Sequence, residues 1–162
     1  MSEEKTERNA SVVLAFHNNE FILLKRKKRD SDPWSGDYCL PGGFSRHGET
    51  LIETAKREFE EETGISSSYL EYIQSMKDFE PMKSAGVKVY PFVFSMKEKK
   101  DLRIGDEIEW GCFEDIGSFK LEKDNLRGES FIKGNIIIWG LTFRILNKFF
   151  SDNYLFYHSK HE

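Results

Sequence analysis

The chain of 162 residues carries a formal net charge of −4, and 38% of its residues are apolar. This length fits one domain with a sizeable core, the composition excludes a disordered chain, and the negative charge gives no general attraction to nucleic acid or anionic membranes. The first nine residues form a polar arm without the apolar segment of a signal peptide, and no apolar stretch is long enough to span a bilayer. We therefore expect a soluble, cytoplasmic protein with a single domain over residues 1–162 and a polar arm over residues 1–9.

Short apolar runs between turn residues predict a series of strands, and longer runs with helical spacing predict two helices. The strands are expected at residues 10–16, 20–25, 38–40, 69–79, 87–96 and 108–113. The first two would form a hairpin around residues 17–19. The helices are expected at residues 50–63, with Gly64 as the C-terminal cap, and at residues 135–150. Strands interleaved with two separate helices indicate a layered α/β domain, and the tail over residues 152–162 fits no regular pattern.

The first predicted helix is unusually rich in glutamate. At about 100° per residue, Glu58, Glu61 and Glu62 share an arc roughly 100° wide, and like charges at this spacing destabilise a bare helix. An apolar stripe that would face a core borders this arc and consists of Ile52, Ala55 and Phe59. A solvated acidic helix is the alternative explanation, since most charge runs are solvated. Because these carboxylates border the buried stripe, the pattern favours a site for a divalent cation.

A Pro-Gly-Gly turn lies just upstream of this helix, where Gly42 and Gly43 could bring backbone oxygen to the same place. Carboxylates together with a backbone carbonyl are hard oxygen ligands, which suit Mg²⁺ or Mn²⁺ better than zinc. Arg57 lies at i, i+4 from Glu61 and could hold that carboxylate in position. A surface ion pair of little energetic weight is the alternative for Arg57.

Residues 43–65 resemble the Nudix box, which is a glycine, five residues, Glu, seven residues and then Arg-Glu-apolar-x-Glu-Glu-x-Gly-apolar. Every slot is filled, by Gly43, Glu49, Arg57, Glu58, Phe59, Glu61, Glu62, Gly64 and Ile65. The resemblance implies an α/β/α sandwich with a mixed β-sheet between helices. It also implies Mg²⁺- or Mn²⁺-dependent hydrolysis of a nucleoside diphosphate linked to another group, with water attacking phosphorus. Carried over by position, Glu58 and Glu62 match the principal metal ligands, Glu61 matches a ligand or base, and the carbonyl of Gly43 or Gly42 completes the shell.

Many members of the family use a further glutamate far downstream as base or extra ligand. Glu107 and Glu109 are the candidates here, and we prefer Glu109 because of its distance from the apolar Cys112-Phe113 that follows. On this basis the expected catalytic residues are Glu58, Glu61, Arg57 and Glu109.

Three further segments, residues 36–43, 85–93 and 138–146, resemble the coenzyme A diphosphatase branch of the family. The chain departs from that branch at Asp32, where the branch has an arginine. A basic run over residues 25–29 could meet an extra phosphate or could simply solubilise the loop. Trp34 could stack on a base or pack under the loop. The expected substrate-binding residues are therefore Arg26, Lys28, Trp34 and Gly42.

The expected partner is a small nucleoside diphosphate derivative, such as one based on coenzyme A or ADP-ribose, or a nucleoside triphosphate. We expect no nucleic-acid partner and no membrane partner, because the acidic balance does not favour either. A homodimer is also considered, since many relatives are dimers. Two alternatives to hydrolysis are a non-catalytic nucleotide-binding module, which usually lacks box glutamates, and an isopentenyl diphosphate isomerase-type activity, which needs a catalytic cysteine in its own motif.

Overall fold

The computed structural model describes residues 8–30, 36–82 and 85–153. Trp34, Asp32 and most of the tail predicted over residues 152–162 lie outside the described residues. The strands are β1 (Arg8–His17), β2 (Glu20–Arg26), β3 (Tyr38–Cys39), β4 (Gly42–Phe44), β5 (Leu70–Ser75), β6 (Val87–Met96), β7 (Ile108–Asp115), β8 (Lys120–Asp124), β9 (Gly128–Lys133) and β10 (Ile136–Ile138). The α-helices are α1 (Leu51–Thr63) and α2 (Gly140–Asp152).

Strand β1 lies at the centre of a mixed sheet with the order β3-β2-β1-β6-β5. It runs parallel to β6 and antiparallel to β2 and β4. The first half of β1 pairs with β4, from Ala10 opposite Phe44 to Val12 opposite Gly42, whereas its last residues pair with β2. Strand β7 extends the sheet along β2, and β8, β9 and β10 form a separate antiparallel sheet. The diglycine is therefore hydrogen-bonded into the sheet instead of lying in a free loop.

Two apolar cores lie on opposite faces of the mixed sheet because neighbouring strand residues point in opposite directions. On β1, Leu14 belongs to the core that α2 covers, and Val13 belongs to the core that α1 covers. Helix α2 buries Phe143, Ile145, Leu146 and Phe149, while α1 buries Ala55 and Phe59. This arrangement confirms the predicted α/β/α sandwich with a mixed sheet between helices. Among the described residues, no helix has the length and apolar character needed to cross a membrane.

The predicted elements differ from the observed ones mainly in the second half of the chain. The helix expected at residues 135–150 begins only at Gly140, because Ile136–Ile138 pairs with β9 as strand β10. Three β-branched residues favour a strand once a partner strand is available, and this local preference overrides the helical spacing. The strand expected at residues 69–79 ends at Ser75, and beyond it Phe79 forms only an isolated bridge to Val89. Strands β8 and β9 were not predicted.

Candidate active site

Helix α1 is fixed at both ends by local interactions that its sequence encodes. Thr50 is the N-cap, and its side chain accepts a hydrogen bond from the backbone N–H of Glu53, whose carboxylate accepts one from the N–H of Thr50. This reciprocal pair is a capping box. Gly64 ends the helix in the left-handed conformation, with φ of 71°, as predicted. The buried Phe59 then sets the rotation of the helix, so that Glu58 and Glu62 face strand β4.

Arg57 is the centre of a carboxylate network at the start of the site. Its guanidinium donates to both oxygens of Glu49, at 2.6 and 2.9 Å, and to the backbone oxygen of Phe44 at 3.1 Å. It also donates to Glu58 at 2.8 Å and to Glu61 at 3.3 Å. The predicted contact with Glu61 is therefore present, but the shorter, bidentate pair is with Glu49, for which the sequence alone indicates no role.

The electrostatics of this pair follow from its hydrogen bonds. The Arg57 guanidinium, with help from the backbone N–H of Arg46, lowers the pKa of Glu49 from 4.5 to about 2. In return, Glu49 raises the pKa of Arg57 above its ordinary value. Both groups are thus ionised at neutral pH. The pair ties helix α1 to the loop that follows β4, with the Phe44 carbonyl as a further anchor.

Two glutamates of α1 approach the diglycine closely. The backbone N–H of Gly42 donates to Glu62 Oε2 at 3.0 Å. A Cβ atom on Gly43 would lie 2.5 Å from the carboxyl carbon of Glu58, so only glycine leaves room for this carboxylate. A Cβ atom on Gly42 would collide with the backbone of Ser11 and Val12 in the paired strand β1. The two glycines therefore serve different purposes: Gly42 permits the strand pairing and Gly43 permits the approach of Glu58.

Burial has the largest effect on the pKa values of these two carboxylates. It raises the pKa of Glu62 from 4.5 to about 8, although Arg26, 3.3 Å away, and the N–H of Gly42 both lower it. Burial also raises the pKa of Glu58, against the opposing effect of Arg57. Their negative charges are therefore incompletely compensated by the protein's own groups. An added cation at the diglycine would favour the ionised form of both carboxylates.

The three glutamates of the predicted metal site do not form one closed cage. Glu58 and Glu62 are directed to the diglycine, whereas Glu61 is half exposed and pairs with Arg57 and with Arg46 at 3.6 Å. Over the described part of the chain, no group of three or more His, Cys, Asp or Glu side chains is arranged to hold a metal ion. The structure thus brings Glu58, Glu62 and Gly43 together and leaves Glu61 on the outer side of the helix.

The two downstream glutamates occupy different environments. Glu107 lies 3.6 Å from Arg26, which also contacts Glu62, so this arginine bridges the helix and the segment before β7. Glu109, the candidate that the sequence favours, pairs with Lys25 at 3.8 Å and is exposed. Among the predicted substrate-binding residues, Arg26 and Gly42 line a cavity beside the site, and Lys28 is exposed on the loop after β2.

That cavity has a volume of about 570 Å³ and lies on the face of the sheet that α2 covers. Both glycines of the diglycine open onto it, as do apolar residues of β1, β6 and α2. A space of this size, predominantly apolar and with a few polar groups, is typical of a small-molecule site. The acidic groups of α1 and the cavity therefore meet at β4.

The fold is an α/β/α sandwich, and its glutamate-rich helix faces a diglycine strand beside this cavity. These features describe an α/β domain with an acidic site next to a small-molecule cavity. A family model described as NUDIX domain matches residues 5–133, which is most of the chain. The protein belongs to the NUDIX domain family.

Sequence relatives with curated names match shorter segments. An ADP-ribose pyrophosphatase of Methanocaldococcus jannaschii is 46% identical over 48 residues, which cover 30% of this chain and 27% of that protein. An NAD-capped RNA hydrolase NudC of Haemophilus influenzae is 40% identical over 65 residues, or 40% of this chain and 25% of that protein. The chain thus matches only about a quarter of the length of these relatives. Their names do not single out the coenzyme A diphosphatase branch.

Solved structures support the fold independently of sequence. The bifunctional NMN adenylyltransferase/ADP-ribose pyrophosphatase of Francisella tularensis, solved with AMP and a manganese ion, superposes with a TM-score of 0.69. It is 16% identical, and the match covers 93% of this chain and 43% of that one. At this identity the likeness establishes the fold alone.

Proposed function

We propose that this protein is a Nudix pyrophosphohydrolase that cleaves the diphosphate of a nucleoside diphosphate linked to another group. The observation that carries the proposal is the meeting of Glu58 and Glu62 with Gly42 and Gly43 at the edge of the cavity. It supplies hard oxygen ligands next to a space that can hold the rest of a nucleotide. The complete Nudix box argues against a non-catalytic binding module.

The donor set fits Mg²⁺ or Mn²⁺, which prefer carboxylate and carbonyl oxygen. Glu58, Glu62 and the carbonyl of Gly43 would hold the ion, and the raised pKa values of the buried Glu62 and the half-buried Glu58 support a cation at this place. Such a cation would neutralise the diphosphate and make the attacking water more acidic. The excess negative charge of the protein would otherwise disfavour an anionic substrate.

The residues of the chain supply the other parts of the reaction. Water oxygen attacks one phosphorus, the P–O bond of the anhydride breaks, and both products leave as phosphate esters. Glu61, which is half exposed and lies on the same helix as the ligands, would accept the water proton, and Arg57 would act as a positioning residue that holds Glu58 and Glu61. Arg26 would face the diphosphate, since it lines the cavity together with Gly42. Glu109 is retained as a candidate base, and Lys28 and Trp34 as candidate contacts of the substrate.

The names of the relatives support the substrate class, because an ADP-ribose pyrophosphatase and an NAD-capped RNA hydrolase both act on a nucleotide-linked compound by name. The resemblance to the coenzyme A diphosphatase branch adds coenzyme A to the compounds worth testing. The name NAD-capped RNA hydrolase includes an RNA, so the absence of a nucleic-acid partner stays a prediction.

The test is turnover of a panel of pyrophosphates with Mg²⁺ or Mn²⁺ and identification of the products. The panel comprises ADP-ribose, NADH, coenzyme A, dinucleoside polyphosphates and oxidised nucleoside triphosphates. Glu62→Gln should lower kcat by on the order of 10²-fold or more with the fold retained, because the charge that holds the cation is lost. Glu60→Gln is the matched control, since Glu60 lies on the same helix but is exposed and accepts the N–H of Ser67. Equal losses in both variants, or none in Glu62→Gln, would contradict the proposal.

A further inference from the structure

The charges around the cavity are opposite in sign to the charge of the whole protein. Among the described residues, four arginines line it, Arg8, Arg26, Arg127 and Arg144, and the acidic lining residue is Asp37. The chain itself has four more acidic than basic residues. The arginines come from β1, β2, the turn between β8 and β9, and α2, so the fold gathers them from distant parts of the sequence.

Arg26 is engaged at the reaction centre, where it pairs with Glu62 and Glu107. Arg8, Arg127 and Arg144 are different, because none of them forms an ion pair with a carboxylate within the part of the chain that the structure describes. Arg144 donates one hydrogen bond, to the backbone oxygen of Glu80 at 2.8 Å. Within the described residues, these three guanidinium groups thus keep most of their N–H donors available beside an apolar cavity.

Each of these guanidinium groups lies over an aromatic ring. Arg8 lies 3.8 Å from the ring centre of Phe44, Arg144 lies 5.5 Å from that of Phe79, and Arg127 lies 6.0 Å from that of Trp139. Stacking of this kind orients a guanidinium group but leaves its N–H donors at the edge free for an anion. A purely structural role in covering apolar surface would not require three arginines from three separate elements to converge on one cavity.

We propose that the cavity binds a nucleoside that carries a phosphate in addition to the scissile diphosphate, and that Arg127 and Arg144 hold this extra phosphate. This inference rests on the proposed function and narrows its substrate class. The apolar lining, which includes Trp139, accommodates the base, and the guanidinium donors match the oxygens of a phosphate. Arg8, which adjoins the residue after Gly43, faces the same space from the side of β4.

The binding test needs no turnover. Isothermal titration compares adenosine 5′-monophosphate with adenosine 3′,5′-bisphosphate and adenosine 2′,5′-bisphosphate. At least one bisphosphate should bind roughly tenfold to hundredfold more tightly, as expected for charge-assisted hydrogen bonds. Arg127→Gln and Arg144→Gln should each reduce this preference, and the double variant should abolish it. Arg127 lies in an exposed turn, so its replacement should not disturb the fold, and Arg127→Lys should retain part of the preference through its charge.

Arg103→Gln serves as the control, because it removes the same charge from an exposed residue outside the cavity lining. It should leave the preference unchanged. Equal affinity for all three nucleotides, a preference that survives in the double variant, or no binding at millimolar concentration would each overturn the inference.

Kinetics separate the two proposals. The matched pairs are coenzyme A with dephospho-coenzyme A, and NADPH with NADH, which differ by one phosphate. Turnover without a preference for the phosphorylated member would overturn the inference and leave the hydrolase. Tight bisphosphate binding that depends on Arg127 and Arg144, without turnover of any pyrophosphate, would leave the phosphate site and overturn the hydrolase.

Discussion

Replacing Glu62 with glutamine tests how the buried carboxylate affects folding in the absence of a metal ion. Glu62 is about 4% exposed, accepts a hydrogen bond from the Gly42 N–H and contacts Arg26 at 3.3 Å. Glutamine keeps the size of the side chain, and its amide oxygen can still accept the bond from Gly42. It cannot accept from Arg26 as well, which costs about 1 kcal/mol and does not depend on pH.

The magnitude follows from the pKa of Glu62, which rises from an ordinary 4.5 to about 8 in the folded protein because of burial. A carboxyl group with a raised pKa contributes its full stability below the unfolded pKa and loses it as the pH rises through the folded pKa. Between pH 4.5 and about pH 8, each pH unit lowers the free energy of unfolding by about 1.4 kcal/mol. The loss should be on the order of 3 kcal/mol at pH 7 and should level off near 5 kcal/mol above pH 8. Because glutamine does not titrate, the Glu62→Gln variant does not lose this stability as the pH rises.

The assay is urea denaturation of both proteins in EDTA between pH 5 and 9. Glu62→Gln should be slightly less stable than the wild type near pH 5 and more stable at pH 8, so the two stability curves should cross. Glu71→Gln, which removes the same charge from an exposed position on β5, controls for net charge. Added Mg²⁺ or Mn²⁺ should stabilise the wild type but not the variant, and should therefore remove the difference in stability between them at high pH. A stability difference that is constant with pH would refute the reasoning.

Three further predictions concern the same helix and its surroundings. Gly43→Ala should fold but displace the Glu58 carboxylate, whose carbon would lie 2.5 Å from the new Cβ, and a kcat loss of at least about tenfold in steady-state assays would show this. Phe59→Ala, which empties a fully buried position on α1, should lower the free energy of unfolding by about 3–5 kcal/mol in urea titrations. Glu107→Gln should reduce kcat more than Glu109→Gln, because Glu107 shares Arg26 with Glu62; a larger loss in Glu109→Gln would instead identify Glu109 as the base.

Local signals in the sequence were sufficient to predict helix α1. Its capping box, the Gly64 cap and the stripe of Ala55 and Phe59 all lie between Thr50 and Gly64 and need no tertiary information. The hairpin of β1 and β2 and the exact bounds of β6 are also local, since alternation and turn residues define them. Prediction of the layered fold therefore required only that these elements be arranged around one sheet.

The features that the sequence did not predict depend on contacts between distant residues. Strand β10 exists because β9 pairs with it, and the isoleucine run alone is compatible with a helix. The contact of Arg26 with Glu62 joins residues 36 positions apart, and no local pattern indicates it. Glu49 was visible as a position of the Nudix box, but its bidentate pairing with Arg57 emerges only when the loop folds back on the helix.

The residues proposed for bond cleavage and those proposed for nucleoside recognition lie in different segments of the chain, which has a consequence for protein engineering. The groups proposed for bond cleavage come from α1 and the diglycine, whereas the cavity walls that would recognise the nucleoside also include residues of α2 and Arg127 in the turn between β8 and β9. Chimeras that exchange the solvent-facing residues of segment 120–153, while keeping its buried face, should redirect selectivity and leave the groups proposed for hydrolysis intact. The chain thus offers a scaffold in which recognition and bond cleavage can be evolved separately.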